Sequence, residues 1–148
     1  MESSASRTSG LGRVLVAVYA VMALAATGRS LVQIIEDFEA APLAYTLSAL
    51  AAAVYILATV ALVRSESPVW YVVAWIAVSF ELVGVLVVGV LSLTHPELFS
   101  NDATVWSGFG YGYFWVPLVL PFFGLWWLVA SRREEAPVAE QPKERSAW

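Results

Sequence analysis

At 148 residues, with 59% hydrophobic, 14% aromatic and 14% charged side chains, the chain departs from a soluble globular average toward a protein solvated by lipid. A net charge of −4 with no basic face argues against a nucleic-acid partner. The lack of cysteine excludes disulfides, thiolate metal sites and thiol nucleophiles.

Residues 1–12 (MESSASRTSGLG) are small and polar with no apolar period, which predicts a disordered tail. The first apolar segment covers about 14–35. Its basic start, its apolar core and Ala23-Leu24-Ala25 have the form of a cleavable signal peptide. Against cleavage, apolar character resumes after Arg29 at Leu31, Val32, Ile34 and Ile35. That gives about twenty-two residues and roughly 33 Å of helix, so an uncleaved first span is expected.

Glu36, Asp37 and Glu39 form an acidic connection, and Pro42 sits where proline is tolerated, in the first turn of the next helix. The second span, about 43–63, is rich in alanine, whose small side chains let helix backbones approach closely in lipid. The short turn from Arg64 to Pro68 demands an antiparallel neighbour.

The third span, about 69–93, holds a single ionisable side chain, Glu81, at its midpoint. At about 0.3 to 0.6 kcal/mol each, its Val, Leu, Ile and Phe residues outweigh a penalty on the order of 3 kcal/mol for the carboxylate. The helix therefore inserts, with Glu81 facing protein rather than lipid.

Residues 94–108 form the longest loop, with Pro96, Asn101 and Asp102 as turn-formers and no Lys or Arg. The fourth span covers about 109–130, and Pro117 and Pro121 are expected to kink it by removing helix hydrogen bonds and freeing the carbonyls of Tyr113 and Pro117. The Pro- and charge-rich residues 131–148 read as a second disordered tail.

Arg7, Arg13, Arg64, Arg132, Arg133, Lys143 and Arg145 fall on one side of this pattern, and the other two loops are acidic. The expected fold is thus an all-α membrane protein, a four-helix transmembrane bundle (13–130) running up-down-up-down with both termini and both tails cytoplasmic. Trp70, Tyr71, Trp126 and Trp127 mark the inner interface, and Trp106, Tyr111, Tyr113 and Trp115 the outer one. Seven Arg against one Lys, with abundant Ala and Val, suggest a high-GC bacterial source and hence a bacterial cytoplasmic membrane.

Arg29 is the other strongly ionisable residue inside a span. Counted at about 1.5 Å per residue from the cytoplasmic ends, it lies roughly 22 Å in and Glu81 roughly 18 Å in. Its lean toward the helix N-terminus brings it nearer still, which predicts an Arg29–Glu81 ion pair across the bundle diagonal. Gln33 and Glu36 share the Arg29 face and are candidates for a polar extension. The pair reads either as a proton- or substrate-coupling site or as a structural tie; in the second case Glu81→Gln should impair folding.

Gly108, Gly110 and Gly112 lack the preceding strand and following Lys of a phosphate loop, and point to close packing or flexibility at the helix entrance instead. His95, Glu97 and Asp102, with Glu36, Asp37 and Glu39 on the same side of the membrane, have the chemistry to bind a divalent cation, but read better as a solvated acidic surface that obeys the topology rule. No acid–base pair, nucleophile with a base, or metal-ligand spacing is present in the sequence, so neither an enzyme nor a cofactor or metal is expected.

In size, four spans and one buried carboxylate, the architecture resembles that of the small multidrug resistance exporters. Those proteins carry their key carboxylate in the first helix, where this chain has Arg29, so no residue roles transfer. The expected function is a non-enzymatic accessory or structural component of a membrane assembly, packed in the lipid bilayer against itself or a larger membrane protein. The alternative is a small proton-coupled transporter using Arg29 and Glu81.

Overall fold

The structure, a computed structural model, describes residues 4–99 and 102–139, and side chains within 9–99 and 102–132. Asn101, Lys143, Arg145 and the rest of the C-terminal tail from residue 140 lie outside the described residues. Four α-helices account for most of what is described: α1 (Ser4–Asp37), α2 (Pro42–Val63), α3 (Pro68–Thr94) and α4 (Val116–Ala139). A 3-10 turn, Phe38–Ala40, joins α1 to α2, and three more lie between α3 and α4: Pro96–Phe99, Ser107–Phe109 and Tyr111–Tyr113.

Three helical stretches, Ser9–Ala40, Pro42–Val63 and Pro68–Thr94, are long and apolar enough to cross a membrane. Ser107–Tyr113 and Val116–Arg132 qualify together as a fourth, bent by 98° at their break. The apolar runs explain why the bounds of α2 and α3 stand within a residue of the hydropathy limits. Each of these helices begins on a proline, whose missing N–H is one of the first-turn donors that lack an intrahelical acceptor anyway.

Each helix buries one stripe. On α2 it is Ala44, Ser48, Ala51, Tyr55, Ala58 and Leu62, a spacing of fours and threes that keeps one face toward its neighbours. Alanines in that stripe permit the most extensive helix contact in the bundle, that between α1 and α2. On α3 the stripe is Ala74, Ala77, Val78, Glu81, Val85 and Val88. The remaining faces stay apolar yet exposed, among them Val21, Leu24, Ile56, Ile76, Val83 and Phe122, the pattern of helices whose outer solvent is lipid. In contact order the helices form a ring: α1 packs on α2 and α4, and α3 packs on α2 and α4.

Two boundaries differ from the sequence expectation. α1 is helical from Ser4, through residues expected to form a tail. At Gly12 the helix meets α4: a Cβ placed there would come within 2.7 Å of the Trp127 ring, so glycine lets α1 lie directly on that indole. α4 starts at Val116 rather than near 109, which puts Pro117 in its first turn, where it breaks nothing. Pro121 lies farther in, yet Val116–Ala139 is one continuous helix. The change of direction sits upstream of both prolines.

It is made by residues 108–115. Gly108 (φ 57°) and Gly110 (φ 84°) take left-handed conformations, and so do Phe109, Phe114 and Trp115 at φ 57–61°. The left-handed region costs a non-glycine residue roughly 1–2 kcal/mol, so this segment is strained. A Cβ on Gly110 would come within 2.7 Å of the Pro117 ring. Gly110→Ala is therefore expected to destabilise the protein by about 1–3 kcal/mol, from overpacking added to an unfavourable φ, as measured by reversible unfolding in detergent micelles.

Candidate functional site

Glu81 is wholly buried at mid-helix in α3. A carboxyl at that depth needs donors, and the sequence of α1 supplies one: the Tyr19 hydroxyl donates to Glu81 Oε2 at 2.6 Å. α1 and α3 are not ring neighbours, so this bond crosses the bundle diagonal. α4 leaves room for it with Gly124, on which a Cβ would sit 3.2 Å from the Tyr19 hydroxyl and 3.1 Å from Val78. α2 adds Tyr55, whose ring lies 6.2 Å from that of Tyr19 with an interplanar angle of 52°. The layer thus takes one residue from each helix: Tyr19, Tyr55, Glu81 and Gly124.

The Tyr55 hydroxyl also lies beside the Glu81 carboxyl. It interacts with that carboxyl, while Glu81 Oε1 has no well-formed hydrogen bond among the described residues. The Tyr55 oxygen also accepts from the Trp106 indole Nε1 at 3.1 Å. Trp106 belongs to the segment between α3 and α4, yet it is 1% exposed. Its ring lies on Gly84, one turn beyond Glu81, where a Cβ would come within 2.7 Å of it. The segment therefore dips into the bundle and closes the Glu81 layer from one end.

Burying backbone at this depth requires that its polar groups be satisfied locally. Thr104 and Ser107 do so: the Thr104 N–H donates to Ser107 Oγ at 2.8 Å and the Trp106 N–H to Thr104 Oγ1 at 3.1 Å. Further bonds fix the segment to the helices. The Tyr45 hydroxyl donates to Asp102 Oδ2 at 2.7 Å, and the Gly108 N–H donates to Ser92 Oγ at 2.8 Å. Arg29 Nη2 donates to the Ala103 carbonyl at 2.6 Å, where Gln33 Nε2 also reaches at 3.5 Å.

This last contact corrects the expected Arg29–Glu81 pair. Among the described residues no hydrogen bond or ion pair joins them. Tyr19, not Arg29, is level with Glu81, and Arg29 lies ten residues, roughly 15 Å, farther along α1. The depth count placed the start of α1 near Val14, whereas the helix begins at Ser4 and crosses its neighbours at a different level. Gln33 shares the Arg29 contact. Glu36 is exposed at the end of α1 and has no recorded bond to that cluster among the described residues. Pro117 and Pro121 are both buried in α4, below the bend rather than at it.

Trp106 is a second correction: expected at the outer interface, it fills the core, while Tyr111, Phe114 and Trp115 occupy the exposed surface. Tyr19 and Tyr55 escaped the sequence reading. The signal for them was available, since a tyrosine inside an apolar helix must find a partner for its hydroxyl. Chemically, the arrangement shelters one carboxyl from lipid, gives one oxygen a short strong donor, and sets the Tyr55 hydroxyl beside the carboxyl without a well-formed bond to the other oxygen. No protein-family model matches the chain, and no curated protein or solved structure matches it either.

Proposed function

We propose that this chain is a multi-pass integral membrane protein of a bacterial cytoplasmic membrane, running up-down-up-down with both termini inside. On this reading it serves as a non-enzymatic accessory or structural component of a larger membrane assembly. The orientation is supported by the gathering of cations at one end: the Arg64 guanidinium lies 5.4 Å over the Trp70 ring and that of Arg132 4.5 Å over the Tyr71 ring. The acidic residues of both other connections lie at the opposite end.

The observation that carries the functional reading is the Tyr19–Glu81 bond beneath Trp106. It uses the mid-span carboxyl to join α1 to α3, which their few direct contacts do not. A bundle fixed in this way presents rigid apolar faces to lipid or to a larger partner. Purification of the full chain in mild detergent, followed by mass analysis of the intact complex, tests this. A stoichiometric foreign subunit is expected. A bare chain or homo-oligomer that moves protons across proteoliposomes in a Glu81-dependent manner would contradict it.

That outcome belongs to a second reading, a small proton-coupled transporter, which the buried carboxyl, with no well-formed hydrogen bond to Oε1 among the described residues, favours. Arg29 has no direct part in it, since its guanidinium is engaged on the Ala103 carbonyl.

A further inference from the structure

We propose that residues 102–115 form a latched plug, and that water and small hydrophilic solutes reach Glu81 only when Trp106 withdraws from its seat on Gly84. This holds under either functional reading, because it concerns access to the carboxyl and not what the access serves.

Three features of the segment combine. Its deep end carries Trp106, seated against Gly84 with one hydrogen bond to Tyr55 and flanked by buried Thr104 and Val105, while Phe109 packs on Gly89 farther along α3. Its fixings lie on side chains near the ends of three different helices: Arg29 on α1, Tyr45 on α2 and Ser92 on α3. Its far side, residues 108–115, is held in left-handed conformations at five positions and ends in Phe114, which is 90% exposed. Strain of this kind persists only while the surrounding contacts hold it, so releasing the fixings favours withdrawal. Behind the plug lies the buried Glu81 carboxyl, whose Oε1 has no well-formed hydrogen bond among the described residues. Arg29 and Gln33, which interrupt the apolar run of α1, thereby acquire a role: they hold the plug by the Ala103 carbonyl.

The chain has no cysteine, so a single introduced thiol is a unique reporter. Val85→Cys places one on the buried face of α3, a turn from Glu81 and beside Gly84. The probe is sulfonatoethyl methanethiosulfonate. The thiol loses its proton to solvent, the thiolate attacks the sulfenyl sulfur, a mixed disulfide forms and methanesulfinate leaves. When opening is rapid relative to labelling, the rate follows the open population.

With the full chain in lipid nanodiscs, slow modification is expected with the latches intact. Arg29→Ala, which removes a charged hydrogen bond, should accelerate it on the order of tenfold, and Tyr45→Phe should act in the same direction by less. Ala61→Cys, equally buried but at the far end of α2, should not respond. Ala77→Cys, one turn from Glu81 on the other side, repeats the measurement with a second reporter should Val85→Cys fail to fold. Rates near Glu81 that ignore both latch variants, or a rise matched at Ala61→Cys, would overturn the plug.

Discussion

Trp106→Ala is expected to cost the bundle about 3–5 kcal/mol, the range for emptying a large buried aromatic site. The indole is 1% exposed, lies directly on Gly84 and donates to Tyr55, so its removal leaves a cavity with a tyrosine hydroxyl at its edge. Its neighbours in the 104–106 turn are also buried and would lose the packing that justifies their place at that depth. Unfolding by denaturing detergent, followed by tryptophan fluorescence and circular dichroism, measures the effect. Phe114→Ala, at the most exposed aromatic of the same segment, should change stability far less. Equal costs for the two would show that Trp106 is not seated as described.

Glu81→Ala is the second large effect, about 2–5 kcal/mol, because it opens a cavity and strands the Tyr19 hydroxyl without its acceptor. Glu81→Gln should behave differently. The carboxamide oxygen still accepts from Tyr19, and the amide N–H₂ can donate to the Tyr55 oxygen, where Glu81 Oε1 has no well-formed hydrogen bond. A change within about 1 kcal/mol of wild type is expected. An Arg29–Glu81 ion pair would give the opposite outcome, since neutralising one member leaves the other buried and uncompensated. The same unfolding assay therefore separates the tyrosine tie from the ion pair. Under the transporter reading, the folded Glu81→Gln protein would have lost proton movement.

The parts of the fold that were legible in the sequence are those governed by one-dimensional quantities. Span length against bilayer thickness set α2 and α3, and a first-turn proline marked the start of α2, whereas Pro68, read as the end of a turn, is the first residue of α3. The inward face of Glu81 followed from the cost of placing a carboxylate against lipid.

What could not be read were relations across the chain. The partner of Glu81 depends on the relative levels of α1 and α3. One contact that bears on the level of α1, Gly12 on Trp127, joins residues more than a hundred positions apart. Trp106 looked like an interfacial aromatic because its neighbours carry turn residues. Its burial rests on Gly84 and Tyr55, which no local pattern links to it. The glycines and prolines of 108–121 signalled irregular backbone, but the bend is made by left-handed residues before Val116, including three without glycine's freedom.

The central claim, that a Tyr19–Glu81 hydrogen bond ties the two diagonal helices, is tested most directly by a double-mutant cycle of Tyr19→Phe and Glu81→Leu. Each single variant leaves a buried polar group without its partner, whereas the double variant replaces both by apolar groups of similar size. The double variant should therefore cost less than the sum of the singles by at least about 1 kcal/mol in reversible unfolding. Additivity within about 0.5 kcal/mol would contradict the tie.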